Sequence, residues 1–177
     1  MRYLVKLLLG VIIVFTLCIG VLRLMCVFYP NSYKLQVSEY SRKYDISPEL
    51  VYGVIRAESK FDARAVSDKG AIGLMQIMES TGSWAAEKIG MGDVDLFQPD
   101  VNIEIGCFYI SYLLDKYDGN TCCAIAAYNA GQTNVDRWLK NKDYSKDGKN
   151  LLKIPFAETE KYVEKVQENI KKYSFLY

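Results

Sequence analysis

A chain of 177 residues, half of them hydrophobic, with 22 basic and 21 acidic side chains, has room for one medium domain and an appendage, and its balanced charge leaves no footprint for nucleic acid. It has no histidine, which argues against a zinc site or a cysteine–histidine nucleophile pair, and no metal or cofactor is expected. Only Cys107, Cys122 and Cys123 lie outside the N-terminal apolar stretch. An odd number with two adjacent is a poor disulfide framework, so small buried thiols on helices are the better reading.

The appendage is N-terminal. After Arg2 and Lys6, residues 7–22 carry no charge, and beyond Arg23 the apolar character continues through Tyr29 to Pro30. That is the ~20 residues a membrane-spanning helix needs, with Arg23 tolerable if it snorkels to an interface. A basic start and apolar core also describe a cleaved signal peptide. No Ala-x-Ala-like site follows, however, and Cys18 and Cys26 lack the small residues that precede a lipid-modified cysteine. An uncleaved anchor over residues 1–29 is therefore the favoured expectation, entering the membrane through residues 7–29. Arg2 and Lys6 argue for a cytoplasmic N-terminus and an extracytoplasmic domain, although Arg23 and Lys34 weaken the asymmetry.

Residues 30–45 read as a connector that ends in a short helix from Leu35 to Tyr44, and residues 46–177 as the domain proper. Ser47 suits an N-cap and Pro48 the first helical position of a helix ending near Glu58. Residues 61–73 are rich in turn formers and read as loop. Ser80 or Thr81 is expected to cap a helix through Ile89, stopped by Gly90. Asp100 is expected to cap a long helix with the face Ile103, Cys107, Ile110, Leu113, Leu114, Tyr117. Gly119-Asn120 breaks it, and helices follow over residues 121–130, 134–140 and 158–173, with an exposed polar loop at 141–150. No stretch alternates with period two, so the soluble part is expected to be all-α.

Glu58 is out of register with its own helix. The apolar stripe runs Val51, Val54, Ile55, and the next position on that face is 58. A carboxylate there faces the core or a cleft, near a helix C-terminus whose dipole disfavours negative charge. Both effects raise its pKa, as a general acid near neutrality requires. A surface glutamate paired with Arg56 or Lys60 is the plain alternative.

Four short motifs stand in order: Glu58-Ser59-Lys60-Phe61, then Ser67 through Gln76 (SDKGAIGLMQ), then Ala127-Tyr128-Asn129-Ala130-Gly131, then Glu158-Thr159-Glu160-Lys161-Tyr162-Val163. Together they resemble the lytic transglycosylases of the soluble-lytic-transglycosylase type, which have a lysozyme-like fold and cleave peptidoglycan. The likeness covers roughly Ile46 to Tyr173, and Asp100-Val101-Asn102-Ile103 and Gly106 fit the same pattern. It implies a single lysozyme-like catalytic domain with Glu58 as catalytic acid and Ser59 orienting its carboxyl. Ser67, Met75 and Gln76 would belong to the sugar groove, Tyr128 and Asn129 would face Glu58 across the cleft, and Tyr162 would hydrogen-bond near the acid. Independently, Gly70 and Gly73 let backbone approach a ligand, Gln76 offers donors and an acceptor, and Tyr128 and Tyr162 offer ring faces and hydroxyls. Met75 and Tyr128 also suit plain core packing. Glu79 stands where the family often has proline.

Most glycosidases use two carboxylates, and the aligned motifs supply one. In enzymes of the resembled type the substrate's N-acetyl group assists and the C6 hydroxyl of the muramic acid replaces water, which leaves 1,6-anhydro ends. The resemblance thus implies a monomeric enzyme acting on peptidoglycan glycan strands, with a role in wall growth, division, sporulation or a secretion machine of the envelope left open. A goose-type-lysozyme-like hydrolase, with Asp62 or Asp68 as second carboxylate, and a non-catalytic wall-binding module are the competing readings.

Overall fold

A computed structural model describes residues 2–177. Helix α1, Arg2–Phe28, is apolar, buries none of its residues and is long enough to cross a membrane. The remainder is a helical domain of α2 (Lys34–Lys43), α3 (Pro48–Glu58), α4 (Glu79–Ile89), α5 (Pro99–Lys116), α6 (Thr121–Ala130), α7 (Gln132–Lys140) and α8 (Ala157–Leu176). One two-stranded antiparallel hairpin, β1 (Ala71–Ile72) and β2 (Ile77–Met78), interrupts the helices. Its first strand lies in the stretch read as loop, and with two residues in each strand the domain remains all-α in class. Strands of two residues are too short to leave an alternation in the sequence.

Ser47 caps α3 as anticipated, its Oγ accepting from the Leu50 N–H at 3.1 Å, with Pro48 in the first turn. Two other predicted caps are displaced. α4 begins at Glu79 directly after the extended Met78, so Ser80 and Thr81 lie inside its first turn. α5 begins at Pro99, which takes the first position and leaves Asp100 within the turn, where its carboxylate accepts from the Tyr40 hydroxyl at 2.8 Å. α2 is more than the end of a connector. Val37 and Tyr40 are buried in the core, and α2 packs on α5 and α3.

α3 and α8 make the largest helix–helix contact of the domain, and α6 lies against α8 and α5. Gly53 permits the close approach of α3 to α8, because a Cβ there would sit 3.0 Å from Ile170 Cγ1 and 3.3 Å from the Val166 carbonyl oxygen. Asn169 seals the seam by donating to the Gly53 carbonyl at 3.1 Å. Buried Val51, Val54 and Ile55 of α3 and Val163 and Val166 of α8 fill the core around this seam. This pair of helices carries the candidate acid.

Candidate active site

Glu58 is the last residue of α3, on the face its helical spacing assigns. Burial pushes its pKa from 4.5 up to about 7, against the hydrogen bond from Tyr162 and the positive charge of Lys165, which pull it down. Tyr162, on α8, donates its hydroxyl to Glu58 Oε1 at 2.6 Å. No ion pair to Arg56 or Lys60 forms among the described residues. The helix end contributes less than its dipole alone suggests, because Lys165 donates to the Ala57 carbonyl at 2.7 Å and counters the exposed end of α3. Near neutrality such a carboxyl can both give and take a proton.

The remaining predicted residues fall into three groups. Tyr128 and Asn129 lie near the end of α6, and Tyr128 neighbours Glu58. Burial, and then the neighbouring Glu58, raise the Tyr128 hydroxyl well above its ordinary pKa, and that hydroxyl donates to the Met75 carbonyl at 2.8 Å. Asn129 accepts from the Thr159 hydroxyl at 2.8 Å, tying α6 to the start of α8. Ser59, Ser67 and Gln76 instead build the loop beside Glu58. Ser59 does not donate to the Glu58 carboxyl. Its hydroxyl donates to the Leu74 carbonyl at 2.8 Å and accepts from the Phe61 N–H at 3.1 Å. Ser67 Oγ accepts from the Ala71 N–H at 3.0 Å. Gln76, in a left-handed conformation (φ 49°), donates to the Ala65 and Gly73 carbonyls at 3.1 and 3.0 Å. Met75 is fully buried, packed so tightly on Gly106 that a Cβ there would overlap its sulfur. Its side chain is core, and only its carbonyl serves the site.

Asn102 organises that loop and received no role from the sequence. It is buried on α5, accepts from the Met75 N–H at 2.8 Å, and donates to the Ile72 and Leu96 carbonyls at 2.9 and 2.8 Å. Gly73, at φ +78°, is required beside it, since a Cβ would come within 2.4 Å of the amide nitrogen. The readable signal was an asparagine within an apolar helix, one turn before a glycine. Lys165 was also missed, although it lies one helical turn after Tyr162 and so shares its face.

Asp62, a candidate second carboxylate, is exposed and accepts from the Arg64 N–H at 2.9 Å, while Asp68 is exposed on the same loop. Among the described residues no second carboxylate perturbs Glu58. From Tyr128 an aromatic wall continues outward. Its ring centroid lies 5.4 Å from that of Tyr109, which with Trp84, Ser80, Thr81 and Gln132 lines a recess of about 220 Å³. A larger recess of about 630 Å³, between α4 and residues 91–97, holds none of the predicted residues.

The model of the transglycosylase SLT domain family matches residues 36–152. The chain belongs to the transglycosylase SLT domain family. An SLT-domain relative, the soluble lytic murein transglycosylase of Salmonella typhimurium, is 35% identical over 143 residues, covering 78% of this chain and 22% of its own length. The membrane-bound lytic murein transglycosylase C of Actinobacillus pleuropneumoniae is 37% identical over 122 residues, 62% of this chain and 33% of that one. Among solved structures, an inactive glutamate-to-glutamine mutant of the lytic transglycosylase Slt from Pseudomonas aeruginosa superposes with a TM-score of 0.76 at 30% identity, covering 85% of this chain and 25% of that one. The fold is thus the lysozyme-like fold of SLT domains. The chain spans about a quarter of the length of the soluble relatives that it matches.

Proposed function

We propose that this SLT-domain chain is a peptidoglycan lytic transglycosylase, held by α1 in the bacterial membrane with its domain, starting at α2, on the extracytoplasmic side. The observation that carries the reading is the carboxyl of half-buried Glu58, its pKa pushed up to about 7 by desolvation and Tyr162 donating to it at 2.6 Å. Proton-transfer chemistry by one group needs this poise, because the same residue must be an acid in one step and a base in the next. A structural relative is inactive as a glutamate-to-glutamine mutant, which supports a glutamate as the working group in such domains.

Protonated Glu58 gives its proton to the glycosidic oxygen between N-acetylmuramic acid and N-acetylglucosamine as the C1–O bond breaks, with the substrate's N-acetyl oxygen supporting C1. The resulting carboxylate takes the proton of the C6 hydroxyl while that oxygen bonds to C1, closing a 1,6-anhydro ring. Tyr162 holds the carboxyl, and Tyr128 and Asn129 form the facing wall, with the Trp84–Tyr109 recess offering ring faces to further sugars. Ser59, Ser67 and Gln76 act through the loop they brace. The membrane assignment is supported by the length of apolar α1 and by similarity to a transglycosylase whose name records membrane binding.

Digestion of purified peptidoglycan by wild type and Glu58→Gln, followed by mass analysis, tests this reading. The expected fragments are lighter by one water than hydrolysed ends and are missing with the variant. Hydrolysed ends would point to a water-activating hydrolase, and wild-type cleavage by Glu58→Gln would remove the acid assignment.

A further inference from the structure

The domain is not hung from α1 on a loose tether. Tyr29, one residue beyond α1, lies edge-on to Tyr173 at 5.7 Å between centroids, with Arg56 and Lys172 over its ring at 5.5 and 5.2 Å. Its carbonyl accepts from the Tyr177 hydroxyl at 2.9 Å, and that of Pro30 from the Tyr173 hydroxyl at 3.1 Å. Tyr173 in turn stacks on Tyr52 at 4.9 Å. The end of α1 is therefore docked on α3 and the last turns of α8, the two helices that carry Glu58 and Tyr162.

Around this dock the surface is apolar and basic. Leu35, Phe175 and Tyr177 are 81%, 69% and 55% exposed, large values for such side chains in a folded domain. Residues 29–35 and 171–177 include Lys34, Lys171 and Lys172 and no acidic side chain. Aromatic and lysine side chains side by side next to an apolar helix are the composition of a membrane–water interface. The lengths agree. Twenty-seven residues of α1 span about 40 Å against a hydrocarbon core of about 30 Å. With Arg23 snorkelled to the outer boundary of the core, Tyr29 lies about 9 Å beyond it, at headgroup level.

We propose that the surface formed by Tyr29, Leu35, Phe175 and Tyr177 with Lys34, Lys171 and Lys172 is a seat on the lipid headgroups, preferring anionic lipid, which holds the domain against the membrane at a fixed tilt. This rests on α1 being a membrane anchor. The consequence is a short reach. Tyr177, just past the end of α8, lies fifteen positions beyond Tyr162, so the acid stays within about 22 Å of the helix tip along that axis. A seated domain meets only the glycan nearest the membrane, and the aromatic dock prevents it from swinging outward.

The test uses the full chain in vesicles of phosphatidylcholine and phosphatidylglycerol with bromine near the headgroup end of the acyl chains. Phe175→Trp adds a tryptophan at the seat, and Glu164→Trp adds one at an exposed position about 16 Å back along α8. Flotation with the vesicles after an alkaline wash reports the anchor separately. Bromolipid is expected to remove most of the emission added by Phe175→Trp and little of that added by Glu164→Trp. Equal, weak quenching of both in a chain that floats overturns the seat and leaves the anchor standing. A chain that does not float overturns both.

Discussion

Two polar residues withdrawn from water, half-buried Glu58 and fully buried Asn102, are used in opposite ways. Asn102 has an amide whose oxygen accepts one backbone N–H and whose nitrogen donates to two carbonyls, all within 2.9 Å. Glu58 has a carboxyl that receives one hydrogen bond, from Tyr162, and is otherwise desolvated. Saturated burial fixes a loop, because every alternative geometry leaves groups unpaired. Unsaturated burial stores a displaced pKa, which is usable chemistry. The domain places the second kind against a loop locked by the first.

Substitutions can break that contrast. The largest expected effect is on turnover. Glu58→Gln keeps shape and the Tyr162 contact but has no proton to give, and peptidoglycan cleavage should fall by about 10²–10⁴-fold, the usual share of general acid–base catalysis. Stability should move the other way. Glu58 holds its proton more tightly folded than unfolded, so its contribution is full below about pH 4.5 and is lost as pH rises through about 7. At pH 8 the neutral glutamine should therefore stabilise the fold by about 3 kcal/mol, and at pH 4 by almost nothing, read from urea midpoints. Equal midpoints at both values would mean that Glu58 is not desolvated.

Asn102→Ala should show the reverse signature. It strands the Met75 N–H and the Ile72 and Leu96 carbonyls, at about 1–3 kcal/mol for a buried unsatisfied group, so a loss on the order of 3 kcal/mol is expected at every pH. A pH-dependent loss would show that the asparagine belongs to the titrating site and would erase the distinction between the two residues.

The sequence carried the Glu58 side of this contrast better than the Asn102 side, for a physical reason. Helical faces repeat every 3.6 residues, so Glu58 betrays itself as a carboxylate in an apolar stripe, and the resemblance supplied Tyr162 as its neighbour. The hairpin and its lock have no such period. They depend on one amide meeting backbone groups up to thirty residues away, which local patterns cannot register. The same blindness explains Ser59 and Met75. Both stand in the right motif, yet one is turned to the Leu74 carbonyl and the other is packed under Gly106, choices made by tertiary approach. The caps of α4 and α5 were misplaced because several nearby residues suit a helix start, and the preceding strand and Pro99 decided between them.

The smallest expected effect is the most diagnostic of how the carboxyl is tuned. Tyr162→Phe removes one hydroxyl from a buried site and leaves the ring in place. That hydroxyl donates to the ionised carboxyl and so lowers the Glu58 pKa, opposing the burial that raises it. Its loss should push the pKa further up. Since cleavage needs the protonated form, the alkaline limb of the kcat/KM profile, expected near pH 7 in the wild type, should move to higher pH. The maximal rate should fall modestly, because the carboxyl loses its positioning contact. Lys165→Met should move the limb in the same direction by removing a positive charge, while leaving the 2.6 Å contact of Tyr162 intact. A limb that moves to lower pH in either variant would mean that partner interactions, rather than desolvation, hold Glu58 in its protonated form.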